Sequence, residues 1–403
     1  LNGDARPFEE HPAMSGEPVG AGTFVRVVGC QGSLQLLTAI SVLQQRPPPA
    51  RSQDYLVIFS LACPDNQREG FLEVIRTLAM RLHRWAGILE IADGEIDRAH
   101  AGWCAGNPKA IQPIRDAIGV ESADEVYSAR DWQAGNVVLL STFPSARRIC
   151  YGDSIGVYFS PGYFARDDGW IRRGARQVSA ALRARICGAA EAPTAFDEGY
   201  FLLPDAFGAN PIPALHAVNP QALRGIFANL RQAVPNDLVA RIRERIAGRQ
   251  TLFLLGSNFS ETGALAREVE PDAYRAFLEA ERLCGSDIVL LVKPHPRDDS
   301  DKPQRVADAL RELFADTIIL DDPFLFYFPF EPFLLALAAD TEHQPKQTAI
   351  ACFSSSCLPL SLLLALPVKL GFGRSIVQAR FAAPHMRARL RHEADLQRLL
   401  APA

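Results

Sequence analysis

The chain has 403 residues, 48% of them apolar and 22% charged, with a formal net charge of −4 at pH 7. Such a length suits two domains of roughly 150–200 residues, each able to bury a core. The balanced charge excludes a globally basic nucleic-acid binder, and no apolar run reaches the roughly 20 residues that span a bilayer.

Residues 1–21 read as a disordered lead-in, without the basic-then-apolar order of a signal peptide. From there short apolar runs alternate with helical patterns. "TFVRVVG" (Thr23–Gly29) is a first strand, and "SLQLLTAISVLQQ" follows with Leu36, Leu37, Ile40 and Leu43 at helical spacing. "YLVIFS" (Tyr55–Ser60) and "GILEIA" (Gly87–Ala92) continue the series, with "FLEVIRTLAMRLHRW" as the helix between them. "RRICYGD" (Arg147–Asp153) and "VYFS" (Val157–Ser160) come next. The alternation blurs between Phe201 and Gly248, and a second series begins: Gln250–Gly256, Asp287–Val292, Asp316–Asp321, Thr348–Phe353 and Pro367–Phe372. These runs predict an N-terminal α/β domain over 22–215, a helical connection over 216–248, a second α/β domain over 249–375 and terminal helices over 376–403. Each domain is read as a mostly parallel, doubly wound, Rossmann-like sheet, with ligands expected where carboxyl ends of strands face a shared crevice. The eight cysteines are scattered without a C-x-x-C pair, which reads as reduced residues of a cytosolic protein.

Several strand ends carry unusual residues. "DIVLLVKPHPRDD" stops at Lys293, His295 and Arg297, with Pro294 and Pro296 stiffening the backbone on either side of the histidine. A preorganised histidine suits general-acid chemistry or phosphate binding; a stiff solvated turn is the plainer reading. "ACFSSSCLPL" places Ser354, Ser355 and Ser356 between a strand and a helix, where hydroxyls and free N–H groups can receive an anion or one serine can simply cap. "FDEGYF" offers Asp197 and Glu198 beside Gly199, as a catalytic carboxylate or a solvated turn. Glu331 in "FPFEPF" opens a helix, and Asp153 in "CYGDSIG" ends a strand, as crevice ligands or as helix-dipole and turn residues. Gly256, Ser257 and Asn258 form a small polar loop after a strand, without a dinucleotide or phosphate-loop fingerprint. No spacing suggests a metal site.

The order of these motifs is more specific than any one of them. Asp197-Glu198-Gly199, His295-Pro296 and Ser354-Ser355 resemble the acidic-acidic-glycine, His-Pro and paired-serine motifs of bacterial sialyltransferases and polysialyltransferases. "VVGCQGSLQLLTAISVLQQ", "CYGDSIG" and "FPFE" also look like segments of the α-2,8-polysialyltransferase-like family, although Ser154 stands where a second glycine is expected. The resemblance implies a GT-B fold, a CMP-activated nonulosonic acid as donor, inversion, and neither cofactor nor essential metal. It implies Glu198 as general base with Asp197 beside it, and His295 at the donor phosphate. Ser354, Ser355 and Ser356 would sit on that phosphate, and Glu331 on the cytidine ribose. Lys293, Pro296 and the Gly256–Asn258 loop would complete the donor side, with Gly29, Gln31 and Asp153 on the acceptor side. A glycan or lipid-linked oligosaccharide acceptor of capsule or lipooligosaccharide synthesis follows, in the cytoplasm at the inner membrane. The arginine-rich tail (Arg374, Arg380, Arg387, Arg389, Arg391, Arg398) would supply peripheral membrane contact. The rivals are a CMP-Kdo or CDP-polyol transferase and a catalytically inactive glycan-binding protein of the same fold.

Overall fold

The computed structural model describes residues 23–401 apart from 49–50, 62, 64–66, 132, 153–195, 205–211 and 340–346. Asp153, Ser154, the Val157–Ser160 strand and the 1–21 lead-in lie outside the described residues. Two all-parallel sheets follow one another. The first has the order β3-β2-β1-β4-β5-β6-β7, with β1 Phe24–Cys30, β2 Ser52–Phe59, β3 Gly87–Ile91, β4 Glu125–Ser128, β5 Arg147–Cys150, β6 Glu198–Phe201 and β7 Ala214–Ala217. The second has the order β10-β9-β8-β11-β12, with β8 Gln250–Leu255, β9 Gly285–Lys293, β10 Phe314–Ile319, β11 Gln347–Cys352 and β12 Val368–Leu370. Two such Rossmann-like units in one chain are the GT-B architecture. In each sheet the strand order reverses once, at β1/β4 and at β8/β11, and ligands bind at such switch points in open α/β sheets.

The local reasons are visible in the sequence. The inner strands β1, β8 and β9 read as near-continuous apolar runs because helices cover both of their faces. Helix α1 (Ser33–Gln45) is buried on nearly every side, from Gln35 through Leu43, so it carries no polar face. One apolar cluster runs from Leu36 and Leu37 of α1 through Phe227 to Phe253 and Phe333, so the cores of the two domains are continuous. The domains also touch at the carboxyl ends of their strands. Ser33 Oγ donates to the Tyr327 carbonyl at 2.9 Å, and Phe71 stacks on Tyr327 with ring centroids 4.6 Å apart.

The arginine-rich tail is partly core. In the last helix, Ala383–Leu400, Arg389 is buried; it donates to Glu393 and to the Phe353 carbonyl, both at 2.6 Å, and lies over the Phe259 ring. Arg389 therefore fastens the helix to its own domain and is withdrawn from any lipid contact. Among the described residues no helix is long and apolar enough to cross a membrane.

Candidate active site

The Lys-Pro-His-Pro loop leaves the carboxyl end of β9 beside the β8/β11 switch point. Gly256, at the end of β8, donates its N–H to the Lys293 carbonyl at 2.9 Å. A Cβ on Gly256 would sit 3.1 Å from that carbonyl oxygen and 3.3 Å from the His295 nitrogen, so glycine lets the two loops close together. Ser354, Ser355 and Ser356 flank the same place from β11. Ser354 Oγ is 3.3 Å from Ser356 Oγ and accepts the Ser356 N–H at 3.4 Å. Lys293, His295, Ser257, Asn258 and the serines thus all stand at the carboxyl ends of β9, β8 and β11, on one end of the second sheet.

The loop is held from behind by residues that the motif search did not single out. Asp298 Oδ2 accepts the His295 backbone N–H at 2.8 Å, and the Asp298 N–H donates back to the His295 carbonyl at 2.9 Å. Buried Lys302 then gathers Asp298, Glu261 and Glu270, each at 2.9 Å from its Nζ, and donates to the Ser257 carbonyl at 2.7 Å. Burial lifts the Asp298 carboxyl to about 6 despite the lysine. The sequence signal was present in "RDDSDK", where Asp298 and Lys302 stand four apart, but it looks like any solvated charge run.

The same geometry fixes the histidine's state. The Arg297 N–H donates to His295 Nδ1 at 3.1 Å. Nδ1 is therefore the acceptor nitrogen and the proton sits on Nε2. Burial, together with Arg297, Lys302 and Lys293, pushes His295 down to about 3. The unliganded ring is a neutral N–H donor rather than an imidazolium.

Glu331 and Lys293 form the deepest part of the site. Glu331 is 2% exposed and its Oε2 has no hydrogen-bond partner among the described residues; burial lifts its carboxyl to about 7. Lys293, also buried and pushed down to about 8 by its burial, donates to the Phe326 carbonyl at 2.9 Å and feels the charge of Glu331. A buried carboxylate oxygen left without a partner costs stability, and such costs concentrate at binding sites.

Glu198, implied as the base by the resemblance, opens β6 of the first sheet. Asp54, Arg26, Glu125 and Arg147 lie in register across β2, β1, β4 and β5, toward the amino ends of those strands. Arg26 pairs with Asp54 at 2.6 Å, and Tyr127 donates to Glu125 at 2.6 Å. Glu198, 4% exposed, closes this row of alternating charge on β6. It pairs with Arg46 and Arg147 and accepts the Tyr200 hydroxyl at 3.0 Å. Asp197 turns the other way and accepts the Arg148 N–H at 2.8 Å. Both acidic side chains of the Asp-Glu-Gly motif are thus engaged within the first sheet, not with His295. Gly199 is forced by packing, since a Cβ there would lie 2.6 Å from the Phe201 ring.

On the opposite wall, Gln31 follows β1. Its backbone N–H donates to Gln35 Oε1 at 2.9 Å and its Oε1 lies 3.4 Å from Asn136 Nδ2. Gly29 serves packing: a Cβ would collide with Leu139 at 2.4 Å, and its carbonyl accepts the Tyr151 hydroxyl at 2.5 Å. The sequence reading passed over Arg130 and Asp131, which follow the short strand β4. Arg130 is pushed down to about 10 by burial and feels Arg297 of the second domain, which puts this loop across from the histidine loop.

Residues 196–340 match the model of the family described as alpha-2,8-polysialyltransferase (POLYST). No curated protein matches the chain. Among solved structures, UDP-GlcNAc 2-epimerase from Neisseria meningitidis is 10% identical over 91% of this chain and 85% of its own, with a TM-score of 0.46. The GT-B domain of sialyltransferase from Photobacterium damselae is 13% identical over 86% of this chain and 100% of its own, with a TM-score of 0.34. E. coli heptosyltransferase WaaC is 14% identical over 86% and 88%, with a TM-score of 0.36. The family match spans the Asp-Glu-Gly motif, the Lys-Pro-His-Pro loop and Glu331, and over that segment the chain is similar to the alpha-2,8-polysialyltransferase family.

Proposed function

We propose that the protein transfers a nonulosonic acid, sialic acid or a close relative, from a CMP-linked donor to a glycan acceptor with inversion. The observation that carries the donor assignment is His295: its Nδ1 is committed to the Arg297 N–H, so Nε2–H is preset at the carboxyl end of β9. Cleaving the bond between sugar and phosphate builds negative charge on the phosphate. Nε2–H of His295 and the hydroxyls of Ser354–Ser356 supply donors to that charge without reorganising. An arriving phosphate also raises the basicity of the imidazole, which can then pass a proton to departing CMP. Glu331, with its free Oε2 and Lys293 nearby, would receive the ribose hydroxyls. Departing CMP is a phosphate monoester that these donors can stabilise, so the proposal requires no metal. The acceptor enters from the wall carrying Gln31, and lipid-linked surface oligosaccharides made on the cytoplasmic side are the class proposed.

The test is mass spectrometry of a sialylated oligosaccharide incubated with the protein and CMP-Neu5Ac. The reading expects the acceptor to gain one or more nonulosonic acid residues. An acceptor left unmodified by this donor and by CMP-Kdo overturns it.

A further inference from the structure

The last helix packs against the strand ends where the donor phosphate is proposed to bind. We propose that its Arg389 is a positioning residue for that phosphate, acting through the Phe353–Ser354 peptide; the inference rests on the donor reading above. Arg389 Nη1 donates to the Phe353 carbonyl at 2.6 Å, and its Nε donates to Glu393 Oε1 at 2.6 Å. In a trans peptide the carbonyl and the N–H that follows it point in opposite directions. A Phe353 carbonyl held against the buried guanidinium therefore directs the Ser354 N–H away from it. The turn it opens comes to the surface there: Ser354, Ser355 and Ser356 are half-buried, while Phe353 and Cys357 on either side are fully buried. A charge-assisted bond to the carbonyl also polarises the amide, which makes the Ser354 N–H a stronger donor to an anion.

The same pair reaches two further strand ends. Glu393 accepts the Phe372 N–H at 2.9 Å and the Gly373 N–H at 3.0 Å, which ties the chain after β12 to the helix. The guanidinium lies 5.0 Å from the ring centroid of Phe259, just beyond the Gly256–Asn258 loop of β8, and 5.6 Å from that of Phe372. Phe353 and Phe372 stack on each other with centroids 4.3 Å apart. Arg389 thus sits where the chains leaving β8, β11 and β12 meet. Its Nη2 is buried without a hydrogen-bond partner among the described residues, a cost that anchoring the helix does not explain. An anchor would affect every ligand of this domain alike, whereas a residue that aims the Ser354 N–H affects the phosphate alone.

The test is calorimetric binding of CMP and of cytidine to wild type, to Arg389→Lys and to the double variant Arg389→Gln with Glu393→Gln, which leaves no buried charge unpaired. The double variant is expected to bind CMP about ten- to a hundredfold more weakly, with its cytidine affinity within about twofold of wild type. Arg389→Lys keeps the charge and is expected to recover part of the loss. Equal weakening toward both ligands, or undiminished CMP affinity, would overturn the assignment. A second measurement does not depend on the variants folding. In wild type labelled at serine nitrogen, the Ser354 amide resonance, assigned by its absence in Ser354→Ala, is expected to move on adding CMP and not on adding cytidine. A Ser354 resonance indifferent to CMP would likewise overturn the assignment. Wild type that binds cytidine as tightly as CMP overturns the placing of the phosphate at the serines instead, a separable result.

Discussion

His295 and Asp298 grip each other through two hydrogen bonds, His295 N–H to the Asp298 side-chain Oδ2 at 2.8 Å and Asp298 N–H to the His295 carbonyl at 2.9 Å. The imidazole is aimed by this turn, and Lys302 in turn fixes the carboxylate. Asp298→Ala removes the turn's acceptor while leaving the ring in place. A displacement of the ring by about 1 Å costs about a hundredfold in rate, so kcat is expected to fall by that order with the fold retained. Steady-state transfer kinetics beside a circular-dichroism melt check this. A wild-type rate would show that the prolines alone position the ring.

Glu331 ties binding to stability. Its folded carboxyl sits at about 7, above the ordinary 4.5, so the folded state holds the proton more tightly than the unfolded chain. The stability this contributes is complete below about pH 4.5 and is lost as pH rises through about 7. At roughly 1.4 kcal/mol per unit, Glu331→Gln is expected to be more stable than wild type at pH 8 by on the order of 2–3 kcal/mol. Lys293 offsets part of this, because it loses a nearby anion. The difference should vanish below pH 4.5 in urea titrations run at several pH values. The same variant is expected to bind CMP about tenfold more weakly, since a charged acceptor for the ribose is gone. Equal stability at pH 8 would contradict the cost assigned to the buried carboxylate.

Glu198 is expected to report on folding rather than chemistry. Glu198→Gln weakens a paired, nearly fully buried site. Breaking such pairs costs about 3–5 kcal/mol, and the lower end applies here because Arg147 is half-exposed and Arg46 keeps Glu125. The expected outcome is a lower Tm with kcat per folded molecule within about threefold of wild type. A loss of about a hundredfold with an unchanged Tm would instead support Glu198 as the base.

The second domain was legible in the sequence because its strands are long apolar runs ended by marked loops: Gln250–Leu255 was expected to one residue, and Gly285–Lys293 to within two residues at its start and one at its end. The first domain was less so. β4 and β6 are four residues each, and β6 opens with Glu198 and Gly199, a pair that reads as a turn. β7, "ALHA", is an edge strand with exposed residues and no alternation. With β4 and β6 unseen, the row Asp54–Arg26–Glu125–Arg147–Glu198 could not be assembled from sequence. The histidine loop was visible from local residues alone, but Lys302 needed the fold to bring Glu261 and Glu270 to it.

The central claim is that His295 works at the phosphate of a CMP-linked acid. The most direct measurement is nucleotide release from CMP-Neu5Ac, CMP-Kdo and CDP-glycerol by wild type and His295→Ala, with a sialylated oligosaccharide present. The account predicts CMP release from a CMP-linked nonulosonic acid, slowed about a hundredfold or more in His295→Ala. Turnover of CDP-glycerol alone, or an undiminished rate in His295→Ala, would contradict it.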